Sequence, residues 1–269
     1  MTTNKQLTQV SRGKRFIVLF YGIVAYAIAM LTILYLILDL ILYNAGKQPL
    51  NSISLNQGSI FSALCINLIL VFIFGLQHSI MARPNFKKWW MQKIPVVAER
   101  STYVLFSAVA LVTLLYFWQP MQTTIWSVNN TALKYLIWGL FAWGWIYFVL
   151  ATFAINHFDL FGLRQVYLYW KGETYQEFPF MKRWMYNFNR HPIQTGILIG
   201  IWATPYMQLE HLVLSTTFTF YILIGIALEE QDLIRLYGEQ YQRYRDEVGG
   251  LFPWKKVTGN REQGTGNRE

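Results

Sequence analysis

The chain has 269 residues, of which 54% are hydrophobic and only 14% charged. The apolar residues gather into long blocks, which is typical of an integral membrane protein and not of a soluble domain. The net charge of +9 needs no nucleic acid to explain it, because membrane proteins keep basic loops on the cytoplasmic side. A single cysteine, Cys65, excludes an internal disulfide and a thiolate metal cluster, and no metal is expected.

Six blocks without Lys, Arg, Asp or Glu predict membrane-spanning helices. In chain order they cover residues 16–38, 60–80, 102–118, 135–155, 193–209 and 211–228. The first, second and fourth exceed the ~20 residues that a helix needs to cross the hydrocarbon, and the other three are at the lower limit. Pro205 lies near the end of the fifth block, and we expect the fifth and sixth to form a tight hairpin with its turn at residues 206–211.

Basic residues alternate between the ends of these blocks. Of the 23 Lys and Arg, 21 lie in four segments: the N-terminus, the loop 82–100, the segment 157–191 and the region after residue 229. Only Lys47 and Lys134 remain for the opposite side. Basic segments stay cytoplasmic, so both termini are predicted to be cytoplasmic and the number of crossings to be even. The sequence therefore predicts an all-α, polytopic membrane bundle of about six spans.

The predicted bundle covers residues 16–228, after a cytoplasmic N-terminus at 1–15. Beyond it, aromatic and aliphatic residues recur at helical spacing, namely Leu233, Tyr237, Tyr241, Tyr244 and Val248. They predict a cytoplasmic amphipathic helix over 229–254 that lies along the headgroups and closes that end of the bundle. The last residues, 255–269, repeat Thr-Gly-Asn-Arg-Glu with almost no apolar side chain and predict a disordered tail.

Polar residues are dense where the fourth block ends. Asn156, His157, Asp159, Arg164 and Gln165 fall within ten residues of one another. Such density at a membrane interface favours a functional site. The alternative is an ordinary polar loop entering water, with Asp159 and Arg164 forming an ion pair.

Arg190, His191 and Pro192 begin the fifth block, and Gly196 follows within it. Proline suits the first position of a helix, where its missing N–H is harmless. Arg190 and His191 would then lie at the positive end of that helix, which favours a carboxylate or phosphate group of a ligand. The alternative is a basic interfacial anchor with a helix start.

Glu229 and Glu230 follow the sixth block, and the membrane topology does not explain acids at that place. In a hairpin they approach Arg190 and His191, either as a binding pocket or as a structural ion pair. Cationic groups facing carboxylates suit a zwitterionic amino-acid group and a ribose diol, and S-adenosylmethionine has both. His78 could face the same pocket, or be an interfacial histidine held by hydrogen bonds.

The chain resembles the isoprenylcysteine carboxyl methyltransferase-like membrane enzymes in three features, which are Arg190-His191-Pro192, Glu229-Glu230 and the segment 238–244. The resemblance covers about residues 186–254 and implies dependence on S-adenosylmethionine. The motif of that family usually closes with Val-Pro, where this chain has Val248 followed by Gly249, which puts the end of the terminal helix in doubt. Over almost its whole length, the chain also resembles the bacterial methanethiol S-methyltransferases. The segments that carry this resemblance include 74–84, 99–103 and 156–165.

This resemblance implies methylation of a small thiol, methanethiol, to dimethyl sulfide by a multi-pass protein of the bacterial inner membrane. We expect His157 or Asp159 to accept the thiol proton and Arg164 to hold the carboxylate or stabilise the thiolate, because the thiolate is the nucleophile. The residues expected to bind the methyl donor are Arg190, His191, Pro192, Gly196, Glu229, Glu230 and Tyr241. His78 and Asn156 are expected to contact the thiol.

Other functions fit the same sequence. The acceptor could be another small or lipid-borne thiol or a carboxylate, and sterol reductases that use a nicotinamide cofactor share a similar membrane half. A transporter or assembly factor is the non-catalytic alternative, but it would be expected to place polar residues along a path through the bilayer. The sequence predicts the lipid bilayer as a partner and defines no oligomeric state.

Overall fold

A computed structural model describes residues 10–47, 59–178 and 183–253 of the chain. The predicted tail at 255–269 and most of the N-terminal segment, residues 1–9, lie outside the described residues. Nine of the helices in this part of the chain have seven residues or more; the first eight of them are α1 (Arg12–Asn44), α2 (Ile60–Ala82), α3 (Pro84–Trp90), α4 (Glu99–Tyr116), α5 (Thr131–Ile155), α7 (Leu163–Lys171), α8 (Pro192–Trp202) and α9 (Leu209–Tyr237). A single turn, α6 (His157–Leu160), precedes α7, and α10 (Glu239–Glu247) follows α9.

Five helices are long and apolar enough to cross a membrane, and they confirm the prediction of an all-α, multi-pass membrane bundle. They are α1, α2, α4, α5 and α9, with α4 extended at its start by a 3₁₀ turn at Val96–Ala98. Capping side chains mark the starts of two of them. The Ser59 hydroxyl accepts a hydrogen bond from Ser62 N at the start of α2, and the Asn130 side-chain oxygen accepts one from Leu133 N at the start of α5. We call the end of the bundle formed by residues 82–100, 157–178, 183–191 and 229–250 the basic end.

The fifth predicted span differs from the prediction. The apolar block 193–209 is helical only as α8, and 11 residues cover about 16 Å, roughly half of the hydrocarbon thickness. Its last part, residues 203–208, is not helical, because Pro205 cannot donate to the helix ladder. The predicted hairpin is nevertheless present: Trp202 Nε1 donates to Thr219 Oγ1 at 2.9 Å, and His211 Nε2 donates to the carbonyl of Ile201 at 2.7 Å.

The predicted amphipathic helix is divided between two elements. The sixth span continues without interruption through Glu229 and Glu230 to Tyr237, and α10 begins only after Gly238. Gly238 has φ +55°, a left-handed conformation that side chains rarely adopt, so the chain turns there. The predicted apolar face is confirmed, because Tyr241, Tyr244 and Val248 are buried together against Leu233 and Tyr237.

A two-stranded antiparallel sheet closes the end opposite the basic end. It pairs β1 (Thr124–Ser127) with β2 (Tyr206–Gln208), and the pairing shifts register between Thr124 and Trp126. The sequence did not predict this sheet, since β1 is exposed along its whole length and shows no alternation of polar and apolar residues. It fixes the non-helical segment that follows α8.

Glycines allow α8 to lie directly against α5. A Cβ on Gly196 would lie 2.5 Å from the backbone N of Phe148, and one on Gly144 would lie 2.6 Å from the backbone N of Gly200. Side chains at these positions would force the two helices apart. The close contact holds the start of α8, and with it Arg190 and His191, at a fixed height in the bundle.

Candidate functional site

The two ends of the α8–α9 hairpin meet at the basic end, as the sequence predicts. Arg190 Nε donates to Glu230 Oε1 at 2.8 Å, and His191 Nε2 lies 2.9 Å from the same oxygen. The side chains of Arg190 and Glu230 are 10% and 15% exposed, so this is a largely buried ion pair. Burial of paired charges is stabilising only when the remaining donors and acceptors are also satisfied.

Arg190 also fastens the C-terminal helix. Its NH1 donates to the carbonyls of Arg245 and Val248, which end α10, and its backbone N–H donates to the carbonyls of Gly249 and Gly250. The carboxyl ends of helices attract a cation, so the guanidinium serves both Glu230 and α10.

Tyr241, predicted to contact the methyl donor, belongs to this helix and is 1% exposed. Burial first, and then the negative charge of Glu230, raise the pKa of its phenol. The predicted cofactor residues Arg190 and Glu230 therefore bind one another, and the buried phenol of Tyr241 lies within reach of their charges.

Glu229 differs from its neighbour. Its Oε2 lies 3.8 Å from His191 Nδ1, beyond hydrogen-bond distance, and its side chain is 49% exposed. Arg83 and Arg100 lie close enough for their charges to act on it. The pKa of the Tyr186 phenol is raised by burial and then by the charge of Glu229, which places a phenol near the same carboxylate. Glu229 is thus a carboxylate inside a ring of polar side chains that still reaches open space.

His78 and Tyr103 form a hydrogen-bonded pair near Glu229. Tyr103 is 8% exposed, its hydroxyl lies 2.6 Å from His78 Nε2, and the charges of Arg100 and Glu229 both act on it. The Ser107 hydroxyl donates to the carbonyl of Tyr103, so its lone pair accepts from His78 Nδ1–H at 3.0 Å. The imidazole is then neutral with a lone pair on Nε2, and the Tyr103 hydroxyl donates to it.

Sequence reasoning found His78 but missed Tyr103 and Arg100. The guanidinium of Arg100 lies 5.1 Å above the Tyr103 ring, and its Nε donates to the carbonyl of Leu160 at 2.7 Å. The sequence does show a charged residue and a phenol, Arg100 and Tyr103, at the start of the apolar block 102–118. This pattern also fits an ordinary helix start at the membrane interface. Only the packing of α4 against α2 distinguishes the two interpretations.

His157 is buried in a second cluster, between α1 and the start of α6. Its side chain stacks on Phe153 with ring centroids 4.4 Å apart, and the residue is 8% exposed. Thr152 donates to the carbonyl of Val149, so its oxygen accepts from His157 Nδ1–H at 2.9 Å, and Tyr26 donates to Nε2 at 2.8 Å. Burial lowers the pKa of the imidazole, which keeps it neutral. Both ring nitrogens are therefore occupied.

Asp159 and Arg164 pair with one another at 3.0 Å, as the alternative interpretation of this stretch expects. The other carboxylate oxygen of Asp159 accepts from Tyr175 at 3.1 Å, and the pKa of that phenol is raised to about 12 by burial and then by Asp159. Arg164 also lies 4.1 Å from the ring centroid of Phe178. Together these contacts tie residues 175–178 to α7.

Three further predicted residues lie at backbone turns and contacts. Asn156 has φ +100°, ends α5 and caps α6 by accepting from Asp159 N at 3.2 Å. Pro192 occupies the first turn of α8, as predicted, and Gly196 faces α5. The structure thus brings His78, Arg190, His191, Glu229 and Glu230 to one region, whereas His157, Asp159 and Arg164 form a neighbouring cluster, linked to it through Arg100.

The fold and this cluster define a polytopic α-helical membrane protein with a histidine, arginine and carboxylate site at one end of its bundle. A family model described as NnrU protein matches residues 66–249. The chain belongs to the NnrU family. No solved structure matches it.

Three curated relatives carry the name methanethiol S-methyltransferase. The protein from Crocosphaera subtropica is 43% identical over 89% of this chain and 93% of its own length. The one from Mycobacterium tuberculosis is 41% identical over 90% of this chain and 98% of its own. A third, from a Pseudomonas species, is 42% identical over 93% and 97%.

Proposed function

We propose that this protein methylates methanethiol to dimethyl sulfide with S-adenosylmethionine, at the basic end of the bundle. The similarity to methanethiol S-methyltransferases along nearly the whole of both chains carries the proposal. The excess of Lys and Arg at the basic end supports a cytoplasmic orientation, with both termini on that side of a bacterial inner membrane.

The residues around Glu229 fit the amino-acid end of S-adenosylmethionine. The start of α8 has no side-chain cap, so its backbone N–H groups and His191 suit the carboxylate. Glu229 is half exposed, and its one ion pair among the described residues, with His191, is as long as 3.8 Å, so it suits the ammonium group or the ribose hydroxyls. The pair of Arg190 and Glu230 holds this arrangement in place. When bound, S-adenosylmethionine supplies an electrophilic methyl group and leaves as S-adenosylhomocysteine.

Thiol activation is assigned to His78 and Tyr103. An alkyl thiol is mostly protonated near neutral pH, and the thiolate is the nucleophile, so a base is required. The oxygen of Tyr103 can accept the thiol proton while its own proton passes to the lone pair of His78 Nε2, 2.6 Å away. Arg100, above the ring, favours the phenolate character that develops during this transfer.

His157 and Asp159 remain the sequence-based alternative for the base. Either would have to release a present partner, Tyr26 or Thr152 for His157 and Arg164 or Tyr175 for Asp159. The double variant H157Q/D159N tests this alternative directly. If the folded double variant keeps its turnover, neither residue is the base, and both stabilise α6 and α7 instead.

The membrane location suits both partners of the reaction. The apolar thiol dissolves in the bilayer and can enter between the helices, while the charged methyl donor arrives from water. Charge is lost as a thiolate and a sulfonium become two neutral sulfur compounds, and an apolar surrounding favours that change.

The test is methyl transfer by the purified full chain in detergent micelles. Labelled S-adenosylmethionine is supplied with methanethiol, ethanethiol, a prenylated cysteine or no acceptor, and volatile product is measured in the headspace. We expect label in dimethyl sulfide. Labelling of the prenylated cysteine alone, or of no acceptor, would contradict the proposal.

The cofactor placement is tested by equilibrium binding of labelled S-adenosylmethionine. Glu229→Gln should weaken binding about tenfold, the size expected for a charge-assisted hydrogen bond. Glu239→Gln is the control, because Glu239 is exposed on α10 and pairs only with Arg243 among the described ion pairs. Equal affinities of the two variants would place the amino-acid group elsewhere.

A further inference from the structure

One face of α9 contacts α2 and the residue that follows it. Phe218 stacks on Phe74 with centroids 5.5 Å apart, and Tyr221 lies against His78 at 6.3 Å. Further towards the basic end, Asp232 pairs with Arg83 at 2.8 Å. Residues spaced by three and four share a side of a helix, so this face runs from Phe218 to Asp232.

Gly225 lies in the middle of that face, one turn after Tyr221 and one turn before Glu229. Residues such as Phe220 and Leu223, which are 62% and 45% exposed, lie on the other side of α9. Yet a Cβ added to Gly225 would meet no heavy atom of the described residues within 4 Å. Gly75 of α2 is different, since its Cβ would lie 3.1 Å from the ring of Tyr221.

The two helices therefore touch on either side of Gly225 and leave a space in front of it. Tyr221, which packs on His78, lies one turn before Gly225 on this face, and Glu229 lies one turn after it, towards the basic end. Its size at Gly225 admits a methyl-sized group without contact. A neighbouring aromatic ring and an imidazole provide walls that are apolar over most of their surface.

We propose that the space in front of Gly225 is the binding pocket for the methyl acceptor, and that the missing side chain limits acceptors to small apolar thiols. The inference rests on the proposed function and extends it to substrate choice. The pocket lies between a carboxylate assigned to the methyl donor and a hydrogen-bonded tyrosine assigned to the thiol proton. An acceptor held there lies next to both.

The experiment fills the space. In Gly225→Leu, the new side chain occupies the pocket, while folding is not impaired because leucine favours a helix more than glycine does. We expect kcat/KM for methanethiol to fall at least about tenfold, with the affinity for S-adenosylmethionine and the melting temperature unchanged. Gly225→Ala should raise the preference for methanethiol over propanethiol, as a ratio of kcat/KM values, about tenfold relative to the unaltered protein, as expected when a pocket loses the volume of a methyl group.

Gly139→Leu is the matched control. Gly139 is also helical, also has no heavy atom of the described residues within 4 Å of an added Cβ, and lies on the side of α5 that exposes Leu136 and Trp143. Equal activity of the Gly225→Leu and Gly139→Leu variants would overturn the proposal. Loss of S-adenosylmethionine binding in Gly225→Leu would also overturn it, because the space would then belong to the methyl donor. Absence of methyl transfer in the unaltered protein would instead refute the proposed function, and the pocket with it.

Discussion

Arg190 and Glu230 lie 40 residues apart in the chain and form an ion pair in which the guanidinium also binds the last carbonyls of α10. One side chain thus joins the start of α8, the end of α9 and the C-terminal helix. Since both members are largely buried, their pairing decides whether α10 stays on the bundle.

Arg190→Met should release α10. The change leaves Glu230 buried without its main partner, which costs about 3–5 kcal/mol of unfolding free energy. Denaturant unfolding and hydrogen exchange over residues 239–247 would measure the effect. R190M/E230L should be more stable than R190M, because no buried charge remains unpaired.

Arg243→Met provides the comparison for that experiment. Its pair with Glu239 is 76% and 82% exposed, and the loss should stay within about 0.5 kcal/mol. Similar losses in Arg190→Met and Arg243→Met would show that the buried pair does not hold α10.

Gly196→Ala should destabilise the protein in the absence of any ligand. The new methyl group would lie 2.7 Å from the carbonyl oxygen of Gly144, and overpacking of this kind costs about 1–3 kcal/mol. Thermal unfolding of the purified protein measures this, with Gly139→Ala as the control, which should not destabilise because alanine favours a helix more than glycine does. A loss of ligand affinity at unchanged stability would restore the sequence-based role of Gly196 in cofactor binding.

The pH dependence of stability should contain a contribution from His157. Burial lowers its pKa in the folded state, so between that value and about 6.5 the unfolded chain binds one more proton. Stability is complete above about pH 6.5 and falls as the pH decreases, by up to about 1.4 kcal/mol per pH unit. His157→Gln should flatten this slope between pH 7 and 5, and parallel slopes in the two proteins would contradict the assignment.

Tyr103→Phe should reduce kcat by about a hundredfold and leave the affinity for S-adenosylmethionine unchanged, because it removes the group assigned to the thiol proton. Single-turnover methyl transfer separates this effect from binding. Tyr21→Phe is the control, since that hydroxyl donates to Thr102 at 2.8 Å, away from His78. The remaining activity of Tyr103→Phe should recover as the pH approaches the thiol pKa; a flat pH profile would contradict the role.

The long spans and the meeting of Arg190 with Glu230 could be predicted from the sequence. Apolar length and basic loops are strong signals, because each residue in hydrocarbon or headgroups contributes to them independently. The hairpin then follows from a short turn between two apolar blocks. The half-length of α8 could not be predicted from Pro205 alone, because the block continues to residue 209 without a charged side chain and the path of residues 203–208 depends on pairing with β1.

The roles within the polar clusters were harder to predict. His78 lies near the end of one apolar block and His157 just after another, and nothing local distinguishes a histidine buried between Tyr26 and Thr152 from one that pairs with Tyr103. The difference comes from residues more than a hundred positions away in one case and on a neighbouring helix in the other. Gly225 itself carried no signal, since an empty space is a property of the packing of two helices.

The shortness of α8 has a consequence for how the protein enters the membrane. The 11 residues of α8, mostly apolar and followed by a proline-containing segment, are too few to partition into a bilayer alone. Its glycines, however, fit the surface of α5, and its far end bonds to α9. Insertion of α8 therefore requires α5 to be in place and α9 to have been synthesised, so the half of the chain that carries Arg190 and Glu229 acquires its topology last, as a unit.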